Sequence, residues 1–452
     1  MASAKSSEEK AREGARRFLA MLKTRGADNA VVSLSSQKTS QIKFSNSVIN
    51  ASMLYYDYSM SVFASFNKRI VSTVLKSFEP KTLEKSADFI SKFARSVEPN
   101  PEYMGIAKGP FRYKKIEGLY DKALENIGEK SMDYVSDSIS EASAGRVKRT
   151  AGILETESSS DYLITSGNVE AEERSTGAYF SIRAIVEKDE SAHSVTVSKT
   201  LSGFNPVRCA GEASEIAGRV LPKSAIVPGK YDVLFYPLPF AALLDLAASS
   251  CSIFEVESGF SFFQNMLGKK AASPIVNLYD DPSMPFGFGS STFDDEGVPT
   301  QKNVLIENGI LKTYLHNTST AKRHHTKTTA SAGLVAPEPS NIALGKGGYS
   351  IEELIGEIKK GIIVTNLWYT RFQNYKTGDF STIPRDRIFV VENGRIKSCT
   401  SGIRIADSMP NIMKSIGAIG KEDRQILGWE VEVPVKTAPV LVKNVNITRP
   451  LK

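Results

Sequence analysis

Apolar residues recur every three or four positions in three segments of the first half of the chain, which predicts three amphipathic helices. These helices cover residues 6–23, a segment that starts at Pro80, and residues 130–142. Between them, apolar and polar residues alternate with a period of two, as in half-buried strands. The predicted strands are 30–34, 41–44, 58–66, 70–75, 147–153, 162–165 and 178–186. The first half is therefore predicted to be a mixed α/β domain with a curved antiparallel sheet.

The second half consists mostly of predicted strands and turns. Residues 304–312 and 389–397 each place Asn-Gly between two apolar runs, which is the strongest short signal for a hairpin. A helical link at 212–221 and a proline-bounded segment at 222–228 separate the two halves. We therefore predict an α+β protein with an N-terminal domain at 1–221 and a mostly antiparallel, barrel-like β domain at 222–452.

The charge of the chain does not favour nucleic acid as a partner. The formal net charge is +7, yet lysines and arginines are scattered and form no more than pairs such as Lys68-Arg69. Proteins that bind nucleic acid concentrate positive charge on one face. We expect a solvated surface instead.

Two further observations bear on location. No run of about 18 apolar residues is present, so no membrane span is expected. Residues 1–10 are polar and lack the apolar core of a signal peptide, so a cytoplasmic location is expected. The cysteines Cys209, Cys251 and Cys399 are far apart, which predicts reduced, buried thiols rather than a disulfide framework.

A single carboxylate interrupts the most apolar predicted helix. Residues 229–236 have the pattern of a strand that stops at Pro237, and residues 239–250 then have the pattern of a buried helix that contains Asp245. A carboxylate in such a place needs a hydrogen-bonding partner or access to water. Asp245 is thus expected to face a cleft, to make an interface contact, or to reach solvent at the edge of the helix.

Other candidate chemistry is weaker. Asp294-Asp295-Glu296-Gly297 could hold a hard cation, but a turn in which a carboxylate accepts backbone N–H groups is the better interpretation. A zinc site is not favoured, because His324 and His325 are adjacent and would diverge in a strand or a helix. We expect them to face solvent in a basic loop. The other two histidines are His193 and His316.

Several short motifs in the second half resemble, in their order along the chain, those of the TldD/PmbA family, the "modulator of DNA gyrase" proteins. They are residues 293–301, 306–309, 361–365, 377–381, 391–394 and 416–420. A weaker match lies at residues 101–106 in the first half. The resemblance covers most of the chain and is strongest in its C-terminal half.

The resemblance implies a vacated metal site. TldD-like chains of this family carry a His-Glu-x-x-x-His helix and a late cysteine ligand, whereas PmbA chains, also called TldE, lack both. The matching positions here are Asp245, Leu246 and Ser250, and no cysteine stands near Ile426. The chain is therefore similar to the TldE/PmbA type, with no catalytic or metal-binding residues of its own and zinc expected in a TldD-like partner.

The same resemblance implies a subunit that helps to degrade or process unfolded peptides, in a heterodimer with a TldD-like chain or as a homodimer. The candidate cleft or peptide-binding residues are Asp245, Asp294, Asp295, Glu296, Gly378 and Asp379. Two alternatives stay open. One is an active metal-dependent hydrolase with a non-standard site drawn from Asp245, Asp294, Asp295, Glu296 or His316. The other is a regulatory protein linked to DNA or to gyrase.

Overall fold

The computed structural model describes residues 2–187 and 190–449. It has the predicted α+β architecture, with a curled antiparallel sheet followed by a barrel-like sheet. The first sheet is six-stranded, entirely antiparallel and ordered β3-β2-β1-β4-β5-β6. Its strands are β1 (Asn29–Ser45), β2 (Val48–Phe66), β3 (Arg69–Leu75), β4 (Arg149–Thr165), β5 (Val169–Glu187) and β6 (Glu190–Ser198).

Several predicted strands are fragments of longer ones. Residues 35–40 are polar and show no alternation, yet they continue β1, because β2 and β4 pair with them on both sides. Likewise, the predicted strands at 147–153 and 162–165 are the two ends of the single strand β4. Ladder hydrogen bonds on both edges hold these polar segments extended, and a pattern of apolar residues cannot reveal such pairing.

Two helix pairs cover the first sheet. Helices α1 (Ala2–Thr24) and α2 (Pro80–Ala94) bury their apolar faces against β1 and β2. Helices α4 (Lys130–Ser143) and α5 (Pro206–Gly218) pack over β4 and β5. The short α3 (Lys122–Glu125) and a 3-10 turn at Leu201–Gly203 complete this half.

One long edge of the first sheet is open. Strand β3 pairs only with Met60–Phe66 of β2, so the preceding part of β2, residues 48–59, has no outer partner among the residues that the structure describes. This open edge of β2 is rich in exposed apolar side chains. They are Val48, Met53, Leu54, Tyr55, Tyr56 and Tyr58.

The barrel-like sheet closes because β13 pairs with both β12 and β15, which joins β12, β7, β19, β15 and β13 into a ring. Strand β14 extends β13, and β16 pairs with β19. The strands are β7 (Gly229–Phe235), β12 (Lys360–Asn374), β13 (Asp379–Glu392), β14 (Arg395–Thr400), β15 (Arg404–Ser408), β16 (Ile416–Ile419) and β19 (Val440–Thr448).

A third sheet packs beside the ring in the order β10-β9-β8-β11-β18-β17. Its strands are β8 (Leu278–Asp280), β9 (Asn303–Glu307), β10 (Ile310–Leu311), β11 (Ile342–Leu344), β17 (Arg424–Gly428) and β18 (Val431–Thr437). Pairing in this half is mostly antiparallel, as predicted, but β7–β12 and β11–β18 are parallel.

Both predicted Asn-Gly hairpins are present, as β9–β10 and β13–β14. Asn308 and Gly309 have φ values of 49° and 76°, and Asn393 and Gly394 have φ values of 48° and 73°. Positive φ at both central residues is the geometry of a type I′ turn, which explains the sequence at both tips.

Helix α6 (Pro237–Ser249) lies between the two C-terminal sheets and packs against β12 and β18. It begins two positions earlier than predicted, because Pro237 and Pro239 both fit the first turn, where a backbone N–H has no helical partner. The remaining helices are α7 (Ile253–Glu257), α8 (Thr318–Arg323), α9 (Ile351–Gly356) and α10 (Met409–Lys414). Within the described ranges, no helix combines the length and apolar character that crossing a membrane requires.

A buried arginine ties the two halves together. Arg387 on β13 is 2% exposed and donates hydrogen bonds to the carbonyls of Ala217 and Arg219, just where α5 ends. Since an arginine can satisfy several carbonyls at once, it fixes the link between α5 and β7 to the barrel-like sheet. All three cysteines are free and buried, as predicted.

Candidate functional site

Asp245 holds α6 to strand β18. Its Oδ2 accepts hydrogen bonds from the backbone N–H groups of Glu432 at 2.7 Å and Val433 at 3.3 Å. The residue is 8% exposed, so the expectation of a helix edge that reaches solvent is wrong. Burial raises the pKa of Asp245 to about 6, although both backbone hydrogen bonds oppose that shift. The carboxylate is thus engaged by the main chain of the protein itself.

The other positions of the vacated motif are also occupied by structural contacts. Ser250 is 5% exposed, and its Oγ donates to the carbonyl of Leu246 at 2.8 Å at the end of α6. Ile426 is fully buried and pairs with Val435 in the β17–β18 ladder. An aliphatic side chain cannot act as a general base, so Leu246 offers no proton-transfer chemistry. These residues do not fit a zinc ion.

The acidic run at 294–297 forms the expected turn. Asp294 Oδ1 accepts from the backbone N–H groups of Glu296 and Val298 at 3.0 and 2.9 Å. Its Oδ2 accepts from the backbone N–H of Ala332 at 3.1 Å. Burial, with a smaller contribution from the charge of Glu296, raises the pKa of Asp294 to about 8.

The other two acidic residues of this run point to different environments. Glu296 is 4% exposed, and burial raises its pKa to about 7. Asp295 is exposed, and its backbone N–H donates to the carbonyl of Ala332. The structure brings Asp294 and Glu296 together in one turn, and a role for this turn in binding peptide stays a prediction.

Gly378 and Asp379 lie at the tip of the β12–β13 hairpin. Gly378 has a φ of 72°, and a Cβ atom at this position would lie 2.8 Å from Pro410. Asp379 is exposed and accepts a hydrogen bond from Thr377 Oγ1 at 2.6 Å. Glycine is thus required here by turn conformation and by packing, and a peptide-binding role is again untested.

Two of the four histidines lie together, since the ring centres of His316 and His324 are 5.4 Å apart. His324 and His325 are exposed, as expected, and His324 Nε2 lies 2.5 Å from Glu257. His316 is buried, and burial lowers its pKa to about 4, with a smaller effect from His324. Over residues 2–187 and 190–449, no group of three or more histidine, cysteine, aspartate or glutamate side chains is arranged to hold a metal ion.

A cavity of about 440 Å³ lies between the first sheet and the C-terminal half. Arg183 on β5 and His193 on β6 line one wall, while Trp368 on β12 and Arg385 on β13 line another. Leu238, Pro239 and Ala242 of α6 also border this space, as do Trp429 and Glu430. We call this space the Arg183–Arg385 cavity.

Sequence reasoning missed this cavity, because its lining comes from several separate segments between Ala151 and Val431. One signal was available. The chain has two tryptophans, and both of them line this cavity. Tryptophan is rare and often buried where a ligand or a partner packs.

With the geometry in place, comparison with known proteins decides the family. Residues 228–449 match the family model of the PmbA/TldA metallopeptidase C-terminal domain. The chain belongs to the TldD/PmbA family. A metalloprotease of Methanocaldococcus jannaschii is 31% identical over 235 residues, which cover 50% of this chain and 51% of that protein. Metalloprotease PmbA of Escherichia coli is 26% identical over 238 residues, which cover 52% and 50%.

Solved structures show the same fold over nearly the whole chain. A Thermotoga maritima protein described as a modulator of DNA gyrase has a TM-score of 0.85 at 22% identity, covering 97% of this chain and 100% of its own. TldE from Thermococcus kodakarensis has a TM-score of 0.84 at 19% identity, covering 96% and 100%. In sequence, however, this TldD/PmbA-family chain spans only about half the length, or less, of several curated relatives that it matches.

The family match divides the two regions described above. Asp245, Ser250 and Ile426 all lie within the matched residues 228–449. The Arg183–Arg385 cavity has one wall inside that region and one wall, with Arg183 and His193, outside it. The TldD/PmbA C-terminal domain therefore supplies only part of this cavity.

Proposed function

We propose that this chain is a non-catalytic, TldE/PmbA-like subunit of a TldD/TldE-type metallopeptidase that degrades or processes unfolded peptides. The observation that carries the proposal is the state of Asp245. Its carboxylate accepts two backbone N–H groups of β18 in the place where a TldD-like chain is expected to hold its metal. Because the Asp245 carboxylate is already hydrogen-bonded to the main chain, and because Leu246 and Ser250 stand beside it, these three positions make a poor zinc site.

The proposed partner is a TldD-like chain that carries the intact motif and the zinc, and a homodimer is the alternative assembly. The open edge of β2 supports such an association. It exposes Leu54, Tyr56 and Tyr58 along a strand with free backbone groups, and such edges pair readily with another chain. We further propose a cytoplasmic location and a domain boundary near Pro222.

The proposal is tested by mixing the chain with a TldD-like partner that carries His-Glu-x-x-x-His. Light scattering measures complex formation, metal analysis counts zinc, and mass spectrometry follows cleavage of an unfolded peptide. We expect one zinc per complex, bound by the partner, and cleavage that depends on both chains. The double variant Leu54→Lys with Tyr56→Lys should abolish the complex, because it places two charges on the open edge.

The matched control is Phe89→Lys, which changes a 67% exposed aromatic residue on α2 rather than on the open edge. It should assemble normally. The subunit proposal fails if the chains do not associate, or if activity is unchanged on mixing. It also fails if the isolated chain keeps stoichiometric zinc through dialysis and cleaves peptide in a manner that Asp245→Ala abolishes.

A further inference from the structure

The Arg183–Arg385 cavity has more positive than negative charge available to a ligand. Arg183 pairs with Asp386 at 3.1 Å, and Glu430 pairs with Arg371 at 3.2 Å. Arg385 has no ion pair and no hydrogen bond among the described residues. Burial and the charge of Arg183 both lower the pKa of Arg385, which reflects two guanidinium groups held close together.

The negative charges near the cavity are already satisfied. Asp386 is 8% exposed and accepts from Arg183, from Ser191 Oγ at 2.5 Å and from Asn366 Nδ2 at 2.8 Å. Glu430 accepts hydrogen bonds from the backbone N–H groups of Tyr369 and Thr370. Both carboxylates thus use their hydrogen bonds on other groups, and at Arg385 the charge of Asp386 has a smaller effect than the charge of Arg183.

Donors, by contrast, are left over. The Nε of Arg183 is buried and has no hydrogen-bond partner in the part of the chain that the structure describes. The guanidinium of Arg385 lies 3.6 Å from the ring centre of Trp368, which holds its plane but uses none of its N–H groups. Arg385 is half-buried, so its unused N–H groups remain accessible to a ligand in the cavity.

Ser181 lines the same cavity beside His193. His193 Nδ1 lies 3.5 Å from the Asn366 Nδ2 amide, whose orientation is fixed because it donates to Asp386. Burial, chiefly, and the nearby arginines lower the pKa of His193 to about 4, so its ring is neutral. The contact with Asn366 favours the tautomer with its proton on Nε2, which faces Ser181 Oγ at 2.8 Å.

This proton arrangement decides between two roles for Ser181. A serine nucleophile needs a histidine nitrogen that accepts its proton. Here the histidine donates instead, and the Ser181 hydroxyl is itself hydrogen-bonded to the Tyr179 side chain, so it is not left over for a ligand. Ser181 is thus not arranged to attack a substrate, and the donors that remain for an anion in this cavity are those of its arginines.

The backbone of the β12–β13 hairpin is irregular at the cavity. The pairing register shifts between Val364 and Asn366 and again between Trp368 and Arg371. Asp386 and Tyr369 adopt φ values of 65° and 56°, a backbone conformation that residues other than glycine rarely adopt. Such bulges redirect side chains and are found next to binding sites.

The remaining lining is apolar and aromatic. Trp368 is half-buried, while Trp429 is 81% exposed and marks the solvent side of the cavity. The volume of about 440 Å³ lies in the range of roughly 300–1,000 Å³ of small-ligand sites. Guanidinium groups match a carboxylate in planar, bidentate geometry.

We propose that the Arg183–Arg385 cavity binds a carboxylate of a peptide, with an adjoining apolar residue packed on Trp368 and Trp429. The carboxylate would come from the C-terminus of the peptide or from an acidic side chain. This inference rests on the proposed function, because it assumes that the chain meets peptides. It assigns to this chain the task of holding one end of the substrate.

The test is calorimetric titration of the isolated full chain with three synthetic hexapeptides. One ends in phenylalanine with a free carboxylate, the second is its C-terminal amide, and the third is an amide with an internal Glu-Phe pair. We expect binding of the first or the third peptide and not of the second. A C-terminal site favours the first peptide, and a side-chain site favours the third.

Arg385→Gln should weaken binding of the preferred peptide at least tenfold, which is about 1.4 kcal/mol. Arg183→Gln should weaken binding too, but it also breaks the pair with Asp386, so its fold is checked by circular dichroism. The matched control is Arg174→Gln on the same strand β5, where the side chain is 54% exposed and pairs with Glu125. This control should bind the peptide normally.

The outcomes separate this inference from the subunit proposal. Equal binding of all three peptides, or unchanged affinity in Arg385→Gln, overturns the carboxylate site. Normal assembly of Arg385→Gln with the TldD-like partner, together with lost peptide binding, supports both proposals. Failure of the unmodified chain to assemble overturns the subunit proposal alone, because the titration uses the isolated chain.

Discussion

Asp245 lies on α6, and Arg385 lines the cavity that α6 borders. The two residues differ in whether groups of the protein itself satisfy their hydrogen bonds. Asp245 is bonded to two backbone N–H groups of β18. Arg385 contacts the face of Trp368 and leaves its donors to the Arg183–Arg385 cavity. A charged residue whose bonding capacity is used internally serves the fold, whereas one with capacity left over indicates a ligand.

The sharpest way to break this comparison is Asp245→Ala. It leaves the backbone N–H groups of Glu432 and Val433 without an acceptor, so we expect the free energy of unfolding to fall by about 2–4 kcal/mol. Chemical denaturation measures this loss. Asp245→Asn keeps one oxygen for the two donors and should cost less. A variant that keeps its stability but loses peptide cleavage would mean that Asp245 is catalytic.

The second prediction contrasts the acidic turn with the cavity by their response to pH. The folded chain raises the pKa of Glu296 from 4.5 to about 7. Between these values the unfolded chain loses a proton that the folded chain keeps, so the free energy of unfolding falls as pH rises through this window. Glu296→Gln should remove up to about 3 kcal/mol of this dependence and stabilise the chain most at pH 8.

Peptide binding by the cavity should not follow this profile. His193 is neutral well above its pKa of about 4, so the cavity keeps its charge from pH 6 to pH 8. Thermal unfolding and calorimetric titration across this range provide the two measurements. Parallel pH profiles for stability and for binding would contradict the separation of the two regions.

A third, smaller effect concerns the aromatic wall of the cavity. Trp368→Ala removes the surface under Arg385, and a cation–π contact of this kind contributes about 0.5–2 kcal/mol. We expect weaker peptide binding by that amount. Tyr349→Ala, which changes a 41% exposed aromatic residue that is not among those lining the cavity, serves as the control. Equal effects of both variants would argue against a specific role for Trp368.

The smallest expected effect is that of Ser250→Ala. Ser250 Oγ bonds only to a carbonyl of its own helix, so its removal should cost no more than about 1 kcal/mol in the free energy of unfolding. Peptide cleavage by the assembled complex should stay unchanged. A large loss of cleavage with normal stability would restore the vacated position to the active centre.

The sequence predicted those elements whose cause is local. The two Asn-Gly hairpins and α6 follow from turn chemistry and from an apolar run. The interpretation of Asp245, Leu246, Ser250 and Ile426 as vacated positions follows from a resemblance confined to short motifs, and it stays a prediction. The polar middle of β1 was missed, because its extended form depends on β2 and β4 rather than on its own residues.

The hydrogen-bonding partner of Asp245 could not be predicted from neighbouring residues either, because Glu432 lies 187 residues away in the sequence. The cavity was missed entirely. Arg183 and Asp386, which are 203 residues apart, look like ordinary charged residues of two separate strands. Whether such residues can bind a ligand depends on which hydrogen-bond donors remain unpaired after folding, and only the folded structure shows which donors these are.

The two arginines of the cavity belong to different halves of the chain, Arg183 to the first sheet and Arg385 to the ring of strands. Any anion held by both would therefore act as a removable cross-link between them. Its binding energy would add to the cohesion of the folded chain in proportion to the logarithm of its concentration. The two halves would then be held together more firmly when bound peptide is abundant, and release of the peptide would weaken the contact between them.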